Sequence, residues 1–243
     1  MSKRKSLLQV LPAALMLLSA AISIYAQDKS GAKHNARPQQ VASSPVANSG
    51  TKTEAVKYTY EFSQPKFYVK HIVIEHDANG RGTVTFERLD EDTPVTEPLE
   101  LSAGALSRIN ASWQALQFLE SDTNYQSSKQ FPHLGTMRIG IERGDRKRVA
   151  EFNWTNNSDA SNLVNEYRKA ADQAILIFDI SIARQNQPLN MPKLMEAMES
   201  LLNRNGLSDP RQLLKLLEDI STDEHVPLIA RNHALRLIKK IQK

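Results

Sequence analysis

Cysteine is absent from all 243 residues. That excludes a disulfide framework, a thiol nucleophile, a thiolate zinc site and an iron–sulfur cluster, so burial of apolar side chains has to hold the fold. A basic field is missing as well, once charge is divided along the chain. The whole sequence carries 31 Lys and Arg against 27 Asp and Glu. Lys3, Arg4 and Lys5 account for three of the positive charges; Lys29, Lys33, Arg37 and Lys52 account for four more, against Asp28 and Glu54. From residue 55 onward 24 basic residues then face 25 acidic ones. Nucleic-acid binders present a strong positive potential, and this body has none, so no nucleic-acid partner is expected. There is also no GxSxG, no P-loop, no dinucleotide fingerprint and no HExxH. The sequence therefore assigns no catalytic residue, no cofactor and no metal.

What is present begins with an export signature. Lys3-Arg4-Lys5 precede an apolar run from Leu7 to Ala26, which ends on a small residue before Gln27. This is the pattern of a secretory signal peptide over 1–26, and it implies a periplasmic or secreted protein. The run approaches the roughly 20 residues that span a bilayer, so a retained anchor is the alternative, and the one route to a membrane partner. Gln9 and Pro12 inside the run favour cleavage. Residues 27–56 are rich in Ser, Ala, Gln, Asn and Pro and show no period; such a segment buries too little apolar surface to offset its ordering entropy and reads as a disordered polar linker.

An α+β domain is expected over 57–189. Ile72 and Ile74 share one strand face, Val84 and Phe86 share another, and Asn79-Gly80 between them is a strong hairpin signal. Ser102 is a good N-cap for a helix whose stripe is Leu106, Ile109, Trp113 and Leu116. Met137, Ile139 and Ile141 alternate outward, and Ala150, Phe152 and Trp154 alternate back after the turn at Arg143-Gly144-Asp145-Arg146. Two hairpins separated by a helix predict a small antiparallel sheet with packed helices. From Ser158 to about Gln185, Val164, Tyr167, Ala171, Ile175, Phe178 and Ile182 recur at helical spacing. The nearly all-apolar Ala174–Phe178 stretch fits a helix buried between the sheet and the tail.

The remainder, 190–243, reads as an all-helical C-terminal subdomain of three short helices, begun at Pro192, Asp209-Pro210 and Pro227. Leu213-Leu214 and Leu216-Leu217, followed by Asp223, Ala230-Arg231, Ala234-Leu235 and Ile238, resemble one unit of a HEAT repeat. The resemblance implies a stacked helix pair, and arrays of such pairs need about three units, of which one is present. A plain helical cap on the long helix is the competing reading. The body also resembles a family of exported bacterial proteins, a resemblance that implies no activity.

Several short patterns have ordinary explanations. Asp77-Ala78-Asn79-Gly80-Arg81-Gly82 places Arg81 and Arg88 where an EF-hand needs ligands, so it is a turn. Arg143-Gly144-Asp145 is turn chemistry rather than an adhesion signal. His71 and His76 point to opposite faces, His225 and His233 straddle a helix start, and each reads as a surface or capping residue. Asp172 and Asp179 fall on nearly one helical face, where an acid–base pair could sit; Arg168, four residues before Asp172, offers a plain ion pair instead. The leading expectation is a non-catalytic protein- or peptide-binding module of the cell envelope, with an envelope or extracellular protein as partner. The alternatives are a hydrolase-like enzyme using Asp172, Asp179 or His133, and a purely structural envelope component.

Overall fold

The computed structural model describes residues 55–243; the expected signal peptide and nearly all of the expected linker lie outside the described residues. Among the described residues, six antiparallel strands and five α-helices make an α+β structure. Both expected hairpins are present: β2 (Val69–Asp77) with β3 (Arg81–Arg88), and β5 (Thr136–Arg143) with β6 (Arg146–Phe152). The first turn is closed by Asp77 Oδ1, which accepts from the Asn79 and Arg81 amides at 2.8 and 2.9 Å, while Gly80 takes a φ of +77°.

Two strands went unpredicted, and they change the architecture. β1 (Val56–Ser63) opens at the last residue of the expected linker and alternates cleanly, with Tyr58, Tyr60 and Phe62 inward and Lys57, Thr59 and Glu61 outward. It pairs on one side with β2 and on the other with β5, so the hairpins become wings of one sheet in the order β4-β3-β2-β1-β5-β6. β4 (Val95–Glu100) is an edge strand, where Pro98 costs no ladder hydrogen bond.

Two helices cover the inner face. α1 (Ala103–Leu116) starts on Ser102, whose Oγ accepts from the Ala105 amide at 3.2 Å, and it turns Ile109, Trp113 and Leu116 inward. α2 (Ser158–Asn186) starts on Asn157, whose Oδ1 accepts from the Ala160 amide at 2.9 Å. The outer face is a solvated ladder of ion pairs such as Lys57–Glu75 at 2.7 Å and Arg138–Glu61 at 3.1 Å.

At 29 residues, α2 is longer than the sheet requires, and it serves two cores. Leu163, Tyr167, Ala171 and Ile175 pack with the sheet and α1. Leu176, Ile180 and Ala183 pack with α3 (Met191–Asn203), α4 (Leu214–Thr222) and α5 (Leu228–Ile241). That double duty is why 174–178 is apolar nearly all round. Ile182, placed on the buried stripe by spacing, is instead exposed. In the tail, Met191, Met195 and Met198 are wholly buried. Asp209-Pro210 begins a 3-10 turn (Pro210–Leu213) before α4 rather than the helix itself. Asp223 and Arg231, singled out by the repeat resemblance, do different work: Asp223 Oδ2 accepts from Arg184 Nε of α2 at 2.6 Å, whereas Arg231 Nε is buried without a hydrogen-bond partner among the described residues. No helix among the described residues is long and apolar enough to cross a membrane.

Candidate functional site

The sheet's inner face is wider than two helices can cover. Beside α2 this leaves a cleft of about 730 Å³, within the usual size range of ligand sites. Its floor is apolar: Tyr60 and Phe62 from β1, Ile72 from β2, Met137 from β5 and Phe152 from β6. One wall is α2, through Val164, Arg168 and Asp172. The rim carries Phe67 and Tyr68 from the β1–β2 connection and Trp154 from just past β6, at 44%, 56% and 42% exposure.

The rim is held in place by specific hydrogen bonds. Gln64, a buried polar residue, donates through Nε2 to the carbonyls of Pro132 and His133 at 2.9 and 3.0 Å, tying the β1–β2 connection to the 3-10 turn Pro132–Leu134. Gly135 follows that turn at φ +92°, and a Cβ there would stand 2.6 Å from the Phe62 ring, so glycine lets the floor and the turn close together. On the other side, Asn153 Oδ1 accepts from the Phe131 amide at 3.2 Å, the Trp154 carbonyl accepts from Ser127 at 2.8 Å, and the Phe131 ring meets Trp154 edge-on at 5.2 Å.

The charges of the cleft meet on α2. The Arg168 guanidinium sits over the Phe62 ring, 5.8 Å from its centre. Burial pushes the Tyr60 hydroxyl up to about 12, with Arg168 pulling the other way. The expected Arg168–Asp172 ion pair is replaced: Arg168 lies along the aromatic floor, and Asp172 faces Arg204 from the end of α3 at 4.0 Å. Burial raises the Asp172 pKa against the opposing charges of Arg204 and Arg168. Lys66 lines the same cleft, and neither it nor Arg168 has an ion pair among the described residues.

The three residues of the enzyme alternative do not come together. Asp172 lines the cleft, His133 is exposed on the 3-10 turn, and Asp179 is hydrogen-bonded to Arg88. The Arg88 guanidinium is buried among the rings of Tyr68, Phe86 and Phe178 and takes Glu91 as a second partner at 3.2 Å. Removing one partner of a buried pair costs about 3–5 kcal/mol. Here Glu91 remains and Asp179 is about a third exposed, so Asp179→Ala is expected to cost about 2 kcal/mol in urea unfolding. A loss under 0.5 kcal/mol would show that Glu91 alone satisfies Arg88.

The histidines require a correction. His76 and His233, expected as surface or capping residues, are both buried. His233 Nε2 meets Glu199 Oε2 at 2.9 Å, joining α5 to α3. His76 belongs to a chain of hydrogen bonds with Trp113 and Tyr167 in the main core. His71 lies on the opposite face, between Glu61 and Glu87 at 3.1 Å each. Among the described residues no three His, Asp or Glu side chains converge as a metal site.

A second cleft, of about 640 Å³, opens across the Asn165–Arg168–Asp172 ridge. Its charges answer one another: Glu166 accepts from Arg108 Nε at 2.8 Å and from Lys169 Nζ at 2.9 Å. Burial of Glu166 is outweighed by these two cations, which hold its pKa below the usual carboxylate value. This is a tie between α1, α2 and the tail, since Arg108 Nη2 also donates to the Ser208 carbonyl at 2.8 Å.

None of the aromatic cleft's parts stands out locally in the sequence, because Phe62, Met137 and Phe152 read as core and Phe67, Tyr68 and Trp154 as loop or strand end. No protein-family model matches the chain and no curated protein matches its sequence, so its functional reading rests on the geometry of the cleft itself.

Proposed function

We propose that this chain is a non-catalytic binding module of the cell envelope or exterior, whose aromatic cleft takes up an extended apolar segment of a protein partner. The observation that carries the reading is the cluster of Phe67, Tyr68 and Trp154 at the mouth of an apolar floor. Solvent-exposed aromatic clusters of this kind mark interaction surfaces, and Trp and Tyr are favoured where binding energy concentrates. Asp172, a lone half-buried carboxylate facing Arg204, supplies an acceptor rather than an acid–base pair. In this reading the helical C-terminal part is scaffold: it steadies α2, the wall of the cleft, while its methionines face inward.

Trp154 reports on the site directly. The sequence has two tryptophans, and the other, Trp113, is buried in the core. Titrating apolar peptides into the mature protein should shift Trp154 emission to the blue as the rim loses water, and Trp154→Phe should abolish the change without altering the melting temperature. If neither such peptides nor a neutral hydrophobic dye perturbs Trp154 at millimolar concentration, the cleft is not a binding site.

A further inference from the structure

We infer that the cleft reads a chain end: the free C-terminus of a polypeptide whose last residue is bulky and apolar, with its carboxylate on Arg168. The inference rests on the cleft being a binding site and narrows what it binds.

The fold leaves two cations of the cleft, Arg168 and Lys66, without an ion pair among the described residues. Arg88, Arg108, Arg138 and Arg146 all meet carboxylates, at Asp179, Glu166, Glu61 and Glu120. Arg168 has no such partner among the described residues, yet it lies over the Phe62 ring at the cleft floor. A guanidinium resting on an aromatic face keeps its N–H edges available, and that planar fork matches a carboxylate through two parallel hydrogen bonds. Lys66 adds a second cation to the same cleft.

Asp172 decides between kinds of carboxylate. It lies four residues along α2 from Arg168, about 6 Å by helical rise, and lines the same cleft. It can only accept hydrogen bonds when ionised, and its burial makes an added donor favourable. The last two residues of a peptide carry backbone N–H groups within about 6 Å of the terminal carboxylate. A fatty acid has the carboxylate and the apolar chain but no N–H, so it would set a like charge near Asp172 and bring it no donor. An internal peptide segment has the N–H groups but no carboxylate, and would leave Arg168 with neutral carbonyls.

The test uses the mature protein and acetylated tetrapeptides ending in Leu, Phe, Trp or Met, each as the free acid and as the C-terminal amide, with dodecanoate as the lipid-like arm. Binding is followed by calorimetry and by Trp154 emission. At least one free acid should bind about tenfold or more tighter than its amide, the scale of one charge-assisted hydrogen-bond pair. Arg168→Gln should erase that difference while leaving amide binding in place; Arg168 is exposed, so the variant is expected to melt with the wild type. Equal binding of acid and amide would overturn the chain-end inference and leave the apolar-segment reading standing. Tighter binding of dodecanoate than of every peptide acid would overturn it in favour of an anionic lipid. Silence from all three probe types, together with failure of the neutral dye, would remove the binding site altogether.

Discussion

A chain ending at Leu189 should unfold at less than half the urea concentration that unfolds the full chain, with the second half of α2 frayed. The cut strips the cover from Leu176, Ile180 and Ala183, which pack against Met191, Met195 and Met198. Exposing Leu176 and Ile180 costs about 1.5–3 kcal/mol each, or about 3–6 kcal/mol together. The cut also removes polar ties between the two parts. Arg184 loses Asp223, Gln173 loses both Gln212 at 3.0 Å and the Asp209 amide at 2.9 Å, and Arg108 loses the Ser208 carbonyl. Domains of ordinary stability hold about 5–15 kcal/mol in all, so the remainder is small even though the sheet core keeps its own residues. Circular dichroism through a urea titration measures both the midpoint and the lost helicity. A truncated chain with the full-length midpoint would show that the tail contributes nothing to α2.

What the sequence disclosed follows the range over which its signals act. Hairpin turns, the cap of α1 and the period of α2 are local, and each is written in a few neighbouring residues, such as Asp77, Gly80 and Ser102. The central position of β1 is not local, because Tyr60 becomes a mid-sheet residue only by pairing with Ile74 on one side and Ile139 on the other. β4 was hidden by Pro98 and its flanking glutamates, which suit an edge strand and no other. The cleft is less legible still, since it assembles residues from four strands, α2 and three connections. At Arg168 the local rule pointed to Asp172, and the aromatic floor outcompeted it. The three tail methionines illustrate the same point: their spacing fits a core or a binding face equally, and burial alone separates the two.

Tyr167→Phe is expected to cost about 3 kcal/mol at pH 7.5, although it deletes only one oxygen. Tyr167 is wholly buried, and its ring stacks on Tyr60 at 5.2 Å, a contact that phenylalanine keeps. Its hydroxyl is the middle of a directed chain. The His76 Nδ1 lies 2.7 Å from the Asp77 carbonyl, which can only accept, so Nδ1 carries the proton and Nε2 accepts. Tyr167 therefore donates to His76 Nε2 at 2.8 Å and accepts from Trp113 Nε1 at 3.0 Å. Removing the hydroxyl orphans one buried donor and one buried acceptor, at about 1–3 kcal/mol each. In the Trp113→Phe background the donor is already gone, so the same substitution should cost about half as much; an unchanged cost would show that the two side chains are not coupled. The chain also sets an acid response. Burial depresses the His76 pKa below its ordinary value, so its contribution to stability is complete above about pH 6.5 and is lost as pH falls through the folded-state pKa, by at most about 1.4 kcal/mol per pH unit. His71 runs the other way. Burial pulls its pKa down, but Glu61 and Glu87 outweigh that and raise it, so its contribution is complete below about pH 6.5 and is lost as pH rises through the folded-state value. Thermal melts of the wild type from pH 7.5 to 5 should therefore show the His76 loss partly masked. Substituting His71→Gln should steepen the acid loss, and His76→Gln should flatten it; the reverse assignment would overturn the directed chain through Tyr167.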